Sequence, residues 1–96
     1  MKVILRKSPM NTKKWRVEFP DGRHVDFGAQ GYSDFTMHKD PRRKQLYITR
    51  HERRENWSDI LTPGFWSRWL LWEKPSLEKA ISFVERKFRV HIVRGK

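Results

Sequence analysis

No cysteine occurs among the 96 residues. Disulfides, thiolate metal sites and a cysteine nucleophile are therefore excluded, and an intracellular setting is expected. Long apolar runs are missing too. The longest, Trp69-Leu70-Leu71-Trp72, falls far short of the roughly 20 residues that a membrane span needs. No membrane partner is expected. The amino-terminal residues lack the apolar h-region of a signal peptide, so secretion is not expected either. Acid is absent from both ends, since residues 1–17 and 86–96 contain no Asp or Glu.

What those ends hold is base. Lys2, Arg6, Lys7, Lys13, Lys14 and Arg16 lie in the first stretch, and Arg86, Lys87, Arg89, Arg94 and Lys96 in the second. They account for the whole net charge of +11, because the 68 residues between carry 11 basic and 11 acidic groups. If folding sets the ends side by side, one face becomes strongly positive on a balanced body. Such a face calls for a polyanion. The plainer alternative is that charged ends only keep a small protein soluble.

A chain of this length makes one domain, residues 1–96, and buries only a modest share of its surface. Five Trp, six Phe and two Tyr supply the large side chains that so small a core requires. Met1–Arg6 alternates Lys2, Ile4 and Arg6 against Val3 and Leu5, which predicts a strand. Trp15, Val17 and Phe19 alternate with Arg16 and Glu18, and Val25 and Phe27 repeat the pattern beyond Pro20-Asp21-Gly22. That turn has Pro to fix φ and Gly to accept a positive one, so residues 14–27 should form a hairpin. Gly28 to Phe35 reads as irregular, with Tyr32 and Phe35 turned inward as plugs.

Asp40-Pro41 has the form of an N-cap followed by proline at the first helical position. A helix is expected from there to about Glu55, with a narrow apolar stripe at Leu46 and Tyr47. Thr62-Pro63-Gly64 opens a second helix, Phe65–Trp72, in which Phe65, Trp66, Trp69 and Leu70 share one face. Ser76 caps a third, whose Leu77, Ala80, Ile81, Val84 and Phe88 follow helical spacing. Arg89–Arg94 alternates again and reads as a last strand able to pair with the first. The expected architecture is α+β: an N-terminal hairpin within a three-stranded sheet, three helices, and a C-terminal strand joining the sheet.

Catalytic and metal chemistry find little support. His24, His38, His51 and His91 are isolated, and His51-Glu52 lacks the second histidine of a zinc-protease signature. Gly28-Ala29-Gln30-Gly31 has no following Lys-Ser/Thr and makes no phosphate loop. Nothing assembles a nucleophile, a base and an orienting group. No enzyme, cofactor or metal is expected.

The basic groups carry a sharper expectation. Lys2, Arg6, Lys7, Lys13, Lys14 and Arg16 lie on or beside the early strands, and Arg89 and Arg94 on the last. Eight phosphate contacts would give a log–log salt slope near −7 with duplex DNA, at about −0.9 per phosphate. Arg42 and Arg43 add cations in a helical first turn, where the dipole favours phosphate. That helix looks the weaker half of the surface, because Asp40 occupies its end and Glu52 and Glu55 can pair with its arginines. Trp66 and Trp69 are expected in the core. Trp57 and Trp72, off the apolar stripe, are candidates for a protein interface.

Two stretches also resemble a known group of sequences. Gly31-Tyr32-Ser33-Asp34-Phe35-Thr36-Met37-His38-Lys39-Asp40, continuing through Tyr47-Ile48-Thr49-Arg50-His51 to Trp57, is one. Gly64-Phe65-Trp66-Ser67-Arg68-Trp69-Leu70-Leu71-Trp72 with Lys74-Pro75-Ser76 is the other. They are similar to a family of small basic proteins of the nucleocytoplasmic large DNA viruses, with chlorella-virus, iridovirus and marseillevirus relatives. The resemblance covers roughly residues 28–88 and carries over no catalytic or binding residues. It implies a viral origin and a task at the genome or the virion, hence a place in the particle or inside the infected cell, in cytoplasm or nucleus. Within this segment Tyr32, Asp34, His38, Arg50, His51 and Arg68 could form a polar network, most simply one holding the irregular loop against the first helix.

The expected function is that of a non-enzymatic viral nucleic-acid-binding protein that neutralises DNA without reading bases. The alternative is a virion structural protein, a minor capsid or cementing component that grips other virion proteins.

Overall fold

The structure, a computed structural model, describes residues 1–95. Lys96, counted above among the basic residues, lies outside the described residues. Three strands come first: β1 (Lys2–Lys7), β2 (Lys13–Glu18) and β3 (His24–Ala29). Four helices follow: α1 (Phe35–His38), α2 (Pro41–His51), α3 (Pro63–Trp66), prolonged by a π-helical turn at Ser67–Leu71, and α4 (Leu77–Phe88). The last strand is β4 (His91–Arg94). The fold is α+β with a strand at each end, as expected, and has one helix more.

The sheet order is β3-β2-β1-β4. β1 pairs antiparallel with β2 and parallel with β4, so Val3 sits opposite Ile92 and Leu5 opposite Arg94. The two ends of the chain are therefore neighbours in one sheet. The β2–β3 turn behaves as its residues require: the Gly22 amide donates to the Phe19 carbonyl at 3.0 Å, and Gly22 takes φ +91°. Val3, Leu5, Val17 and Phe27 face inward with no exposed surface and meet Phe65, Trp66, Leu70 and Val84 from the helices. Trp66 is wholly buried and donates its indole N–H to the Ile60 carbonyl at 2.7 Å. Trp69 packs at the edge of this core, on Phe83 and Phe88.

Each helix has the cap its sequence offers. Asp40 accepts from the Arg42 amide at 2.9 Å, Thr62 from Phe65 at 3.3 Å and Ser76 from Lys79 at 3.2 Å. Asp34, read above as part of an irregular stretch, caps α1 by accepting from the Thr36 amide at 3.0 Å.

Several expectations need correction. α2 stops at His51 rather than Glu55, because Glu55 leaves the helical path to accept from the Trp57 indole at 3.0 Å. The second helix does not stay α-helical. Its π turn widens the spiral so that Arg68, Leu70 and Leu71 are all buried. Phe35 is inward as expected, but Tyr32 stands 72% exposed. Leu46 is 60% exposed, which leaves Tyr47 as the buried residue of α2. Finally, Arg89 is not in the last strand. It ends α4 in a left-handed conformation at φ +55°, and β4 starts two residues later.

Candidate functional site

Pairing β1 with β4 joins the basic ends, yet it does not gather their cations into one patch. Lys2 and Arg89 lie where β1 and β4 begin, whereas Lys7 and Lys13 lie at the opposite end of the sheet. A six-residue strand separates such ends by about 20 Å. Four of the expected phosphate-binding residues also have acidic partners. Arg6 lies 3.0 Å from Glu18, and Arg94 lies 2.9 Å from Glu78 with its guanidinium over Trp15. Arg16 grips Asp26 with two hydrogen bonds of 2.9 and 3.1 Å, which hold that carboxyl below the usual carboxylate range. Arg6 and Arg16 face each other across the β1–β2 ladder, so Glu18 and Asp26 also relieve a like-charge contact.

Lys14 was expected on an exposed strand face, and it is largely buried instead. Its ammonium donates to Asp34 at 2.7 Å, with side-chain exposures of only 14% and 4%. The chain gains a tie between β2 and the cap of α1. It loses a cation for phosphate.

On α2 the balance goes the other way. Arg42, Arg43 and Arg50 are exposed, as are Arg53 and Arg54 just beyond its end. None of the five forms an ion pair among the described residues. The acids expected to neutralise them do not. Glu55 turns to His51 and Trp57, and Glu52 makes no ion pair among the described residues. The helix, read above as the weaker half, and the turn after it hold five unpaired arginines close together. Lys2, Lys7, Arg86, Lys87 and Arg89 also form no ion pair among the described residues but are spread over the sheet ends and α4.

Beside it opens a cleft of about 460 Å³. Its walls are the start of β2, the loop after β3, α2 and the outer side of α3. Arg43, Tyr47 and Arg50 fall at i, i+4 and i+7 and line it together, with Leu46 on the same face. Lys13 enters from β2 and forms no ion pair among the described residues. Tyr47 lies flat on Trp72, ring centroids 4.3 Å apart and planes within 4°. Burial pushes the Tyr47 hydroxyl well above its ordinary range and keeps it neutral. At the floor of the cleft Gly28 lets Leu71 close against β3: at φ +78°, a Cβ there would sit 2.9 Å from Leu71 Cδ1. The spacing of Arg43, Leu46, Tyr47 and Arg50 was the available signal for the cleft, but Leu46 and Tyr47 were read only as a narrow apolar packing stripe.

The other singled-out residues are engaged within the protein. Trp57 donates to Glu55, its carbonyl accepts from the Trp69 indole at 2.9 Å, and Arg68 covers its ring. Trp72 is half-buried against Tyr47 and His38. The polar network around Tyr32 divides instead into separate contacts. Asp34 meets Lys14, His38 Nδ1 accepts from the Asp40 amide, His51 meets Glu55, and Arg68 donates to Glu73 at 2.8 Å. Lys39 and Lys44 anchor the α1–α2 layer to the carbonyls of Pro75 and Glu73 at 2.6 and 2.9 Å. No group of three or more His, Asp or Glu able to hold a metal occurs among the described residues. No described helix is long and apolar enough to cross a membrane.

Residues 3–51 match a family of unknown function, DUF5754. The chain belongs to this family. The matched segment ends where α2 ends, so DUF5754 takes in β1, β2, β3, the Lys14–Asp34 tie and the arginines of α2. Within the family segment lie Lys13, Tyr32, Arg43, Tyr47 and Arg50 of the cleft, while Trp72 lies outside it. No curated protein and no solved structure matches the chain.

Proposed function

We propose that this protein binds nucleic acid without catalysis and largely without reading sequence, using the α2 arginines and the adjoining cleft rather than the outer face of the sheet. The observation that carries this is the row of unpaired cations: Arg42, Arg43, Arg50, Arg53 and Arg54, with Lys13 beside them. Exposed guanidinium groups without acidic partners are free to take phosphate oxygens, and they fit phosphate geometry well. Six such contacts correspond to a log–log salt slope of about −5 on duplex DNA. The resemblance of residues 28–88 to small basic proteins of large DNA viruses supports viral DNA as the polyanion, in the virion or the infected cell.

Titration with a DNA oligonucleotide at rising salt tests this. Arg43→Glu with Arg50→Glu should weaken binding about tenfold or more at low salt, and flatten the slope. Lys2→Glu with Arg89→Glu, at the far end of the sheet, should change it far less. Unchanged affinity in the α2 double variant removes this surface. Absence of DNA binding at low salt turns attention to the alternative, a virion structural protein acting through protein–protein contacts.

A further inference from the structure

The cleft has more in it than charge. Tyr32 stands on one wall, 72% exposed, well out even for tyrosine, which is on average intermediate in burial. Gly31, at φ +83°, turns the chain there, and the Tyr32 amide donates to the Ala29 carbonyl. Leu46, 60% exposed, projects from the facing helix, between Arg43 and Arg50 along its face. The Tyr47 ring forms part of the lining, and its neutral hydroxyl has no hydrogen-bond partner among the described residues. An exposed aromatic, an apolar facing residue and flanking unpaired guanidiniums suit a ligand that is flat, apolar on its faces and anionic at its edges. The two acids at the cleft, Asp34 and Glu55, are already bonded to Lys14 and to Trp57 with His51. The volume of about 460 Å³ is in the usual range for a small-ligand site.

Resting on the nucleic-acid reading above, we infer that the cleft receives one unpaired nucleotide. Its base stacks on Tyr32 against Leu46, and its flanking phosphates lie on Arg43 and Arg50. Duplex DNA keeps its base faces stacked on one another and cannot offer one to Tyr32. Single strands can. The protein should therefore prefer single-stranded to duplex nucleic acid, with tolerance for base identity, because every base has a stacking face.

Fluorescence anisotropy with one labelled oligonucleotide, single-stranded and annealed to its complement, tests this at fixed salt. The intact protein should bind the single strand about tenfold more tightly. Tyr32→Ala should abolish that preference by bringing single-strand affinity down to the level of the duplex. Because this side chain is exposed, the variant should keep the fold, and circular dichroism checks it. As a second measurement, a nucleoside monophosphate should quench tryptophan fluorescence from Trp72, which lines the cleft, and compete with the single strand. Equal affinity for the two forms, or a preference that survives Tyr32→Ala, overturns this inference and leaves the phosphate-binding surface standing. Binding of neither form at low salt overturns both.

Discussion

Tyr47 and Trp72 lie face to face, 4.3 Å between centroids, and join α2 to the segment that follows the π-helical turn. No other residue of α2 is buried, so this stack is the main apolar bond between the arginine-bearing helix and the body of the protein. The helix carries its charge on this aromatic pin and on the Lys44 bond to the Glu73 carbonyl.

Tyr47→Ala should lower the unfolding free energy by about 3 kcal/mol, the usual cost of deleting a large buried ring. Tyr47→Phe keeps the ring and should cost well under about 1 kcal/mol, since the lost hydroxyl leaves no partner behind. Urea unfolding followed by tryptophan fluorescence measures both. A loss for Tyr47→Phe as large as for Tyr47→Ala would show that the hydroxyl, not the stack, holds the helix.

Lys14 and Asp34 should behave as a buried pair. Lys14→Met strands the Asp34 carboxylate in the interior and should cost about 3 kcal/mol. Adding Asp34→Asn removes the stranded charge while keeping an oxygen to cap α1, and should restore part of that loss. Thermal unfolding of the two single variants and the double variant completes the cycle. If the double variant is as unstable as the sum of the singles, the two side chains are not coupled.

His38 should make stability fall in mild acid. Burial, and then the nearby charge of Arg43, lowers its pKa below the ordinary 6.5. The unfolded state therefore takes up a proton at His38 first as pH drops below 6.5, and the folded state resists it. Stability is thus fully present above that value and is lost as pH falls toward the lowered pKa. Protonation also forfeits the Asp40 amide bond to Nδ1, which lies directly before α2. The melting temperature should drop between about pH 7.5 and about pH 5, and less so in His38→Asn. Identical profiles for the two proteins would exclude His38 as the source. A further decline at lower pH should follow as Asp26, held down by Arg16, is protonated.

Local signals were the legible ones. Alternation around Pro20-Asp21-Gly22 predicts the hairpin because turn chemistry and side-chain period act over a few residues. Asp40-Pro41 and Ser76 predict helix starts for the same reason, and the last strand beside β1 was expected from a second alternating stretch, whereas its parallel sense came only with the structure. Ion pairing is another matter. Lys14 and Asp34 are 20 positions apart, and Arg94 reaches Glu78 from the other end of α4, so a tally of charge along the chain overstated the cations left for a ligand. The same tally undervalued α2, where neighbouring acids look like partners until Glu55 bends away to Trp57. Tyr32 was assigned inward on size alone, and nothing local signalled its exposure. The π turn was equally hidden, since burial of Arg68 depends on Glu73 and on two indole rings that cover its guanidinium.

Parallel pairing of β1 with β4 has a consequence for how the protein is made. Val3 cannot meet Ile92 until the chain has been made past residue 92. Until then the first strand keeps one edge open, with Val3 and Leu5 awaiting their cover from α4. Closure of so distant a pair is slow compared with hairpin formation. Nascent chains should thus pass through a sticky interval that ends only when the final strand docks.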